Sequence, residues 1–233
     1  MSCFYIIFRS NNDYYKDRAE PGGKIHLSLY LYCTVMQPVD SPYRLYNVPA
    51  AYFDAMIDDI SRAVKYVYFE IYKFYNDEIG DRFREVLTRK AAEGVEVKLL
   101  IDSWGASVPD NYFRELIDNK GEVRFFTKIK YVVDFFTKNH RRNHRKLLII
   151  DDRISWIGSG NVTAYSLQWR ELMLRMEGDL ALSFKKVFNL DFKLYNKYFF
   201  EKNSYIRLIR HEEFLIVRDV PSITKKRINK KFI

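Results

Sequence analysis

The sequence predicts an α/β fold in which a central mixed β-sheet is flanked by helices, and three observations carry that expectation. Apolar residues at helical spacing alternate with short β-branched and aromatic runs, and this alternation repeats between residues 49 and 126. Two later apolar runs are joined by the acidic turn Asp151-Asp152-Arg153, which makes an antiparallel pair. Helix-then-strand alternation followed by a hairpin gives a layered α/β domain whose sheet is not purely parallel.

After Pro49, the residues Phe53, Met56, Ile57, Ile60 and Val64 keep helical spacing, and residues 65–74 read as a strand rich in Tyr, Val, Phe and Ile. Ile79, Phe83, Val86, Leu87 and Ala91 predict a second helix stopped by Gly94, with residues 95–101 behind it as a strand buried on both faces. A short helix is expected over 112–119, closed by Gly121, and a strand over 122–126. Residues 147–150 and 154–157 form the hairpin, 172–176 a further strand, and about 180–200 a long amphipathic helix.

Residues 1–42 are the least legible, with a polar stretch over 10–24 that contains Pro21-Gly22-Gly23 and a second break at 38–42; they are assigned as an appendage. Residues 43–211 are assigned to the α/β domain and 212–233 to the start of a second unit. Leu45-Tyr46-Asn47-Val48-Pro49 is echoed by Val217-Arg218-Asp219-Val220-Pro221, and Met56 and Ile60 by Ile228 and Phe232. Matches this short are equally compatible with coincidence.

A chain of 233 residues with 48% hydrophobic and 17% aromatic content can bury a sizeable core. Its 39 Lys and Arg against 30 Asp and Glu give a net charge of +9, which favours anionic partners, phospholipid surfaces or nucleic acid, without choosing between them. Much of the excess is local, in 138–146 and 225–231. Cys3 and Cys33 offer neither metal-ligand spacing nor a disulfide framework, so a reducing compartment is expected. No run reaches the roughly 18 to 20 apolar residues that span a bilayer, and Met1 is followed by no signal-peptide pattern, so membrane contact is expected from the surface.

The functional stretch is 143–161. His144 and Lys146, two apart, project to one face of a strand, while the apolar run after them anchors it. Gly158-Ser159-Gly160-Asn161, at the far end of the hairpin, lets backbone and small polar groups approach the same space. Such a cluster suits attack on phosphorus: a neutral imidazole is a competent nucleophile, and Lys146 and Asn161 can hold non-bridging oxygens. His26, His140 and His211 have no ligand-like partners at motif spacing, so neither a metal nor another cofactor is expected.

The pattern His144-x-Lys146-x4-Asp151-x6-Gly158-Ser159-x-Asn161 resembles the HKD motif of the phospholipase D superfamily. The wording most resembles the N-terminal half of bacterial cardiolipin synthases, through Trp169-Arg170-Glu171, Arg175-Met176-Glu177-Gly178, the run over 68–74, and 94–102 with Trp104-Gly105. The resemblance covers about residues 43–233 and implies a phospholipase D-like sandwich. It implies that His144 forms a phosphohistidine intermediate or protonates the leaving group, and that Lys146 and Asn161 bind phosphate with support from Ser159. Asp151, counted with the catalytic set, mainly organises the strand turn, and Glu171 orients the histidine. The basic loop with Lys138, His140, Arg141, Arg142 and Arg145 reads either as steering for anionic head groups or as a solvated charge run.

Superfamily enzymes join two such motifs at one site, and this chain has one, because none of His26, His140 and His211 is followed by lysine two residues on. The resemblance therefore implies a phosphatidyltransferase of the cardiolipin synthase type. It would act on anionic, phosphatidylglycerol-like phospholipids at a membrane surface and be active only when a homodimer or another chain supplies the second motif. The alternatives are a catalytically silent truncated half and a homodimeric, metal-independent phosphodiesterase or nuclease, nucleic acid being the less favoured partner. The expected location is cytoplasmic, peripheral to the inner membrane, with no transmembrane segment.

Overall fold

Pro49 opens the first long helix at a position where a missing N–H costs nothing, and the apolar spacing behind it decides which face turns inward. The computed structural model describes residues 4–8, 41–126, 142–195, 206–211 and 214–219. In chain order the elements are β1 (Phe4–Phe8), β2 (Tyr43–Tyr46), α1 (Pro49–Ser61), β3 (Tyr66–Ile71), β4 (Phe74–Tyr75), α2 (Glu78–Ala92), β5 (Glu96–Asp102) and β6 (Ala106–Ser107). There follow α3 (Arg114–Asp118), β7 (Glu122–Phe126), β8 (Leu147–Ile150), β9 (Ile154–Gly158), a 3-10 turn (Ala164–Gln168), β10 (Met173–Glu177), α4 (Leu180–Leu194), β11 (Ile206–His211) and β12 (Phe214–Asp219).

The central sheet has seven strands in the order β2-β10-β9-β8-β3-β5-β7. β3, β5 and β7 run parallel, joined through α2 and α3, while β8, β9, β10 and β2 each run antiparallel to the neighbour before them. The sheet is therefore mixed, as the hairpin predicts. Alternation along the strands splits the core in two: Val67, Phe69, Ile71, Leu148 and Trp156 pack with α1 and α2, while Tyr66, Tyr68, Leu100, Leu147 and Ile149 pack with α4. A strand buried on both faces cannot show a two-residue polar alternation, which is why β3 and β8 read as continuous apolar runs.

Local chemistry sets the helix ends. Asp77 caps α2, accepting from the backbone of Ile79 at 3.1 Å and Gly80 at 3.0 Å, and acidic Glu78 and Asp81 in the first turn complement basic Arg89 and Lys90 in the last. α1 is tied to the sheet by buried Asp59, which accepts from the Trp156 indole at 2.8 Å and from two nitrogens of Arg175 at 2.8 and 3.1 Å.

Three elements differ from expectation. The predicted strand over 65–74 is two, because the chain leaves the central sheet after Ile71 and β4 pairs instead with β6. The short helix spans only Arg114–Asp118, and α4 is described to Leu194, residues 196–200 lying outside the described residues. β1 pairs antiparallel with β12 and β12 with β11, so this three-stranded sheet draws on all three segments into which the sequence was divided. Ile216 of β12 is fully buried in the α4 core. The helical turns expected after residue 220 lie outside the described residues.

The β8–β9 turn holds Asp151 and Asp152 at φ of 53° and 58°, a left-handed conformation that aspartate tolerates better than most residues. The Asp151 carboxylate accepts from the backbone N–H groups of Val64, Lys65 and Tyr66 at 2.7, 2.7 and 2.9 Å, so it fastens the start of β3 to the hairpin. Replacing Asp151 with Ala removes a charged acceptor and strains the turn, with an expected loss of about 2 to 3 kcal/mol in urea denaturation. The titration of His144, at the other end of the strand, should not move.

Candidate active site

Among the described residues, every expected site residue except Asp151 lies along one edge of the sheet. The C-terminal ends of β2, β3, β5, β7 and β9 meet the N-terminal ends of β8 and β10 there, as the registers Tyr46 with Met173, Gly158 with Met173, Glu70 with Leu147 and Asp102 with Phe126 require. Asp151 sits at the opposite end of β8, roughly 20 Å of extended chain from His144. Its carboxylate accepts from three backbone donors of the β3 start.

His144 and Lys146 do share a face. The Lys146 Nζ lies 3.2 Å from His144 Nδ1 and 3.4 Å from Nε2, and it donates to the His144 carbonyl at 2.9 Å. The Tyr72 ring packs on the imidazole at a centroid distance of 4.6 Å and on the Lys146 ammonium at 5.2 Å. Lys146 is buried and His144 half-buried. Burial pushes the imidazole down to about 4, helped by the charges of Lys146 and Lys73. At neutral pH the ring is uncharged and keeps a lone pair for attack, while the adjacent ammonium supplies positive charge for an anion.

What holds this pair is the alternate face of the same segment. Asn143 and Arg145 point the other way, into a buried polar cluster beneath α4. Asn143 donates its side-chain amide to Glu70 and its backbone N–H to Asp102 at 2.7 Å. Arg145 binds Asp191 of α4, lies 3.4 Å from Glu70, and donates to the Asn143 side-chain oxygen at 3.2 Å. Glu70, Asp102, Asn143, Arg145 and Asp191 are all buried. Burial raises the Asp102 carboxyl, opposed by the N–H groups of Asn143 and Trp104 and by the charge of Arg142. The steering role expected of Arg145 is therefore corrected, because its guanidinium is sealed inside the domain. Arg142 stacks on the Trp104 ring at 4.0 Å and lies 3.8 Å from Asp102. Arg141 lies outside the described residues.

On the other side of the pair, the Asn161 side-chain oxygen accepts from the Lys73 N–H at 3.2 Å. That bond orients the amide, leaving its NH2 end as the one that can meet a ligand. The backbone bridge between Phe74 and Val162 holds the loop in place. Ser159 acts on the backbone, its Oγ accepting from the Leu172 N–H at 3.0 Å and its N–H donating to the Leu172 carbonyl at 2.9 Å. Gly160 admits the loop close to α1: a Cβ there would lie 2.7 Å from the hydroxyl oxygen of Tyr52. Burial, then the charge of Glu171, holds the Tyr52 phenol above its usual range. Half-buried Glu171 is thus the neighbour of Tyr52, and no hydrogen bond joins it to His144 among the described residues.

Sequence reasoning missed Glu70, Asp102, Asn143, Asp191, Tyr72 and Tyr52. Two signals were available: an acid embedded in the apolar run Tyr68-Phe69-Glu70-Ile71, and the parity that sends Asn143 and Arg145 opposite to His144 and Lys146. Among the described residues, no three His, Cys, Asp or Glu side chains are grouped to hold a metal ion.

A mixed sheet carrying a His-x-Lys pair at one edge defines a phospholipase D-like fold. The solved structure of Nuc, a phospholipase D family member from Salmonella typhimurium, matches with a TM-score of 0.51 at 17% identity over 67% of this chain and 97% of that one. Phosphatidylserine synthase of Haemophilus influenzae Rd KW20 matches with a TM-score of 0.50 at 18% identity over 64% and 36%. The family model described as cardiolipin synthase, PLD-like domain, matches residues 56–192, and the chain belongs to that family. Among curated relatives, cardiolipin synthase of Listeria welshimeri is 39% identical over 147 residues, 60% of this chain and 30% of that protein. Cardiolipin synthase of Clostridium perfringens is 35% identical over 173 residues, 68% and 36%. The chain thus spans about a third of the length of the curated relatives it matches.

Two measurements check this geometry. In an NMR titration His144 should titrate near pH 4, and Lys146→Met should move it back toward its ordinary value of 6.5. Between these values the unfolded chain binds a proton that the folded chain refuses, so stability is full above about pH 6.5 and declines as pH falls toward 4. His144→Gln should flatten that decline. Arg145→Met removes the cation paired with buried Glu70 and Asp191 and should cost about 3 to 5 kcal/mol in chemical denaturation.

Proposed function

We propose that this chain provides one half of a phosphatidyltransferase site of the cardiolipin synthase type, the second histidine coming from a second copy or another chain. The single observation that carries the reading is the neutral His144 imidazole set within 3.4 Å of the Lys146 ammonium at the open edge of the sheet. In the proposed reaction a ring nitrogen of His144 attacks the phosphorus of a phosphatidylglycerol-like donor. The P–N bond forms as the P–O bond to the departing glycerol breaks, and the second histidine gives that oxygen its proton. The same histidine then takes a proton from the acceptor hydroxyl, whose oxygen displaces His144 from phosphorus. Lys146 and the Asn161 amide hold the non-bridging oxygens and meet the charge that grows on them. Ser159 supports this by fixing the loop backbone, and Glu171, through Tyr52 and Gly160, borders the same loop.

The relatives named cardiolipin synthase support the lipid substrate, and the +9 charge suits an anionic surface. No helix among the described residues is long and apolar enough to cross a membrane. The same charge favours, as a second reading, a homodimeric phosphodiesterase acting on nucleic acid.

Lipids extracted from cells expressing the chain should show added cardiolipin by mass spectrometry, and His144→Ala should abolish the increment. Asn161→Ala should lower it about 100-fold, the scale of one lost oxyanion donor. Equal cardiolipin from wild type and His144→Ala would overturn the proposal. Metal-independent cleavage of single-stranded DNA by the wild type would favour the second reading, and a monomer by light scattering with no turnover would mark a silent half.

A further inference from the structure

We propose that the site-bearing edge of the sheet is also the surface that seats on an anionic phospholipid bilayer, with Tyr165 and Trp169 as its apolar anchor. This rests on the phosphatidyltransferase reading for its choice of partner, and it names the residues that meet that partner.

The observation is an asymmetry. Ten large hydrophobic side chains are exposed among the described residues, and six of them, Val48, Trp104, Tyr165, Leu167, Trp169 and Leu172, follow or precede strand ends at the edge that carries His144. The other four are scattered: Tyr43 at the far end of β2, Val64 before β3, Ile117 on α3 and Leu182 in the first turn of α4. Both exposed tryptophans are on the site edge, Trp104 at 58% and Trp169 at 54% exposure, while Trp156 is wholly buried. Scattered exposed apolar residues are ordinary on a protein surface, but a collection at one edge is a mark of an interaction surface.

The chemistry of the collection points to a bilayer. Tyr165 and Trp169 stand edge to face, with ring centroids 5.7 Å apart, so the pair is ordered before anything covers it. Trp and Tyr combine an apolar body with a polar tip and are favoured at the boundary between acyl chains and head groups. Exposed Arg170 adjoins the pair, and Trp104 lies against the Arg142 guanidinium, so cationic groups flank the aromatic ones. These local cations are attracted to the anionic head groups of a bilayer, and a second copy seated on the rim is the outcome that light scattering separates. Seated this way, the edge turns His144 toward the head-group layer, where a phosphatidyl donor presents its phosphorus without leaving the bilayer.

The test uses the full chain and vesicles of phosphatidylcholine with or without phosphatidylglycerol. Sedimentation should show the wild type on the anionic vesicles, and the double variant Tyr165→Ser, Trp169→Ser should partition at least about tenfold less, since each side chain carries substantial apolar area. Circular dichroism should show the variant folded, because both positions are exposed. In a Trp104→Phe background, phosphatidylglycerol brominated on its acyl chains should quench the fluorescence of Trp169. Unchanged partition of the double variant, absence of quenching, or a rim substitution that alters the mass in light scattering instead of vesicle binding would each overturn the proposal. Turnover of a short-chain phosphatidylglycerol below its micelle concentration separates the two claims. Failure of the wild type there, with vesicle binding still dependent on the rim, defeats the catalytic reading alone; turnover there with rim-independent binding defeats only the docking surface.

Discussion

The Arg145 guanidinium, enclosed between Asp191 of α4 and Glu70 of β3 and bonded to the Asn143 side chain, is the contact on which the rest of the site depends. It joins a helix and a strand of the second core to the segment that bears His144 and Lys146. That segment precedes the ladder of β8, which begins at Leu147. Its alternate side chains are instead held by buried carboxylates: Asn143 by Glu70 and Asp102, Arg145 by Glu70 and Asp191. Buried charges are costly unless paired and hydrogen-bonded, so such a cluster tolerates one arrangement and few others. With one face fixed in this way, His144 and Lys146 are presented on the other with little freedom left.

The placement has an electrostatic consequence. Lys146 is buried beside His144 and lowers its proton affinity, and burial of the imidazole acts in the same direction. The result is an uncharged imidazole beside the Lys146 amino group, held at a separation that free side chains in water would not keep. Tyr72 closes the pair off with its ring, and Asn161, oriented by the backbone of Lys73, completes the donor set from the neighbouring loop. The Ser159 bonds to Leu172 prolong the β9–β10 pairing by one residue and set the height of that loop.

Much of this was legible before the structure. The mixed sheet, the α1 and α2 helices and the β8–β9 hairpin follow from apolar spacing and one acidic turn, because each buries a continuous face. The His144 and Lys146 pairing follows from a two-residue spacing on extended chain. The three bonds from Asp151 to the start of β3 were not legible, because they join residues more than 80 positions apart. Arg145 was misread because a basic run looks solvated in sequence, and only the buried acids at Glu70 and Asp191, distant in the chain, reveal its burial. The pairing of β1 with β12 joins residues more than 200 positions apart, and nothing local in either strand announces it.

The central claim is that His144 is the group that takes the phosphatidyl moiety. The most direct measurement is an acid-free quench of the assembled protein during turnover of phosphatidylglycerol, followed by peptide mass spectrometry. A phosphatidyl adduct on a ring nitrogen of His144, absent without donor lipid, is the result the account predicts. Turnover with the adduct on another residue, or with His144 left unmodified throughout, would contradict it.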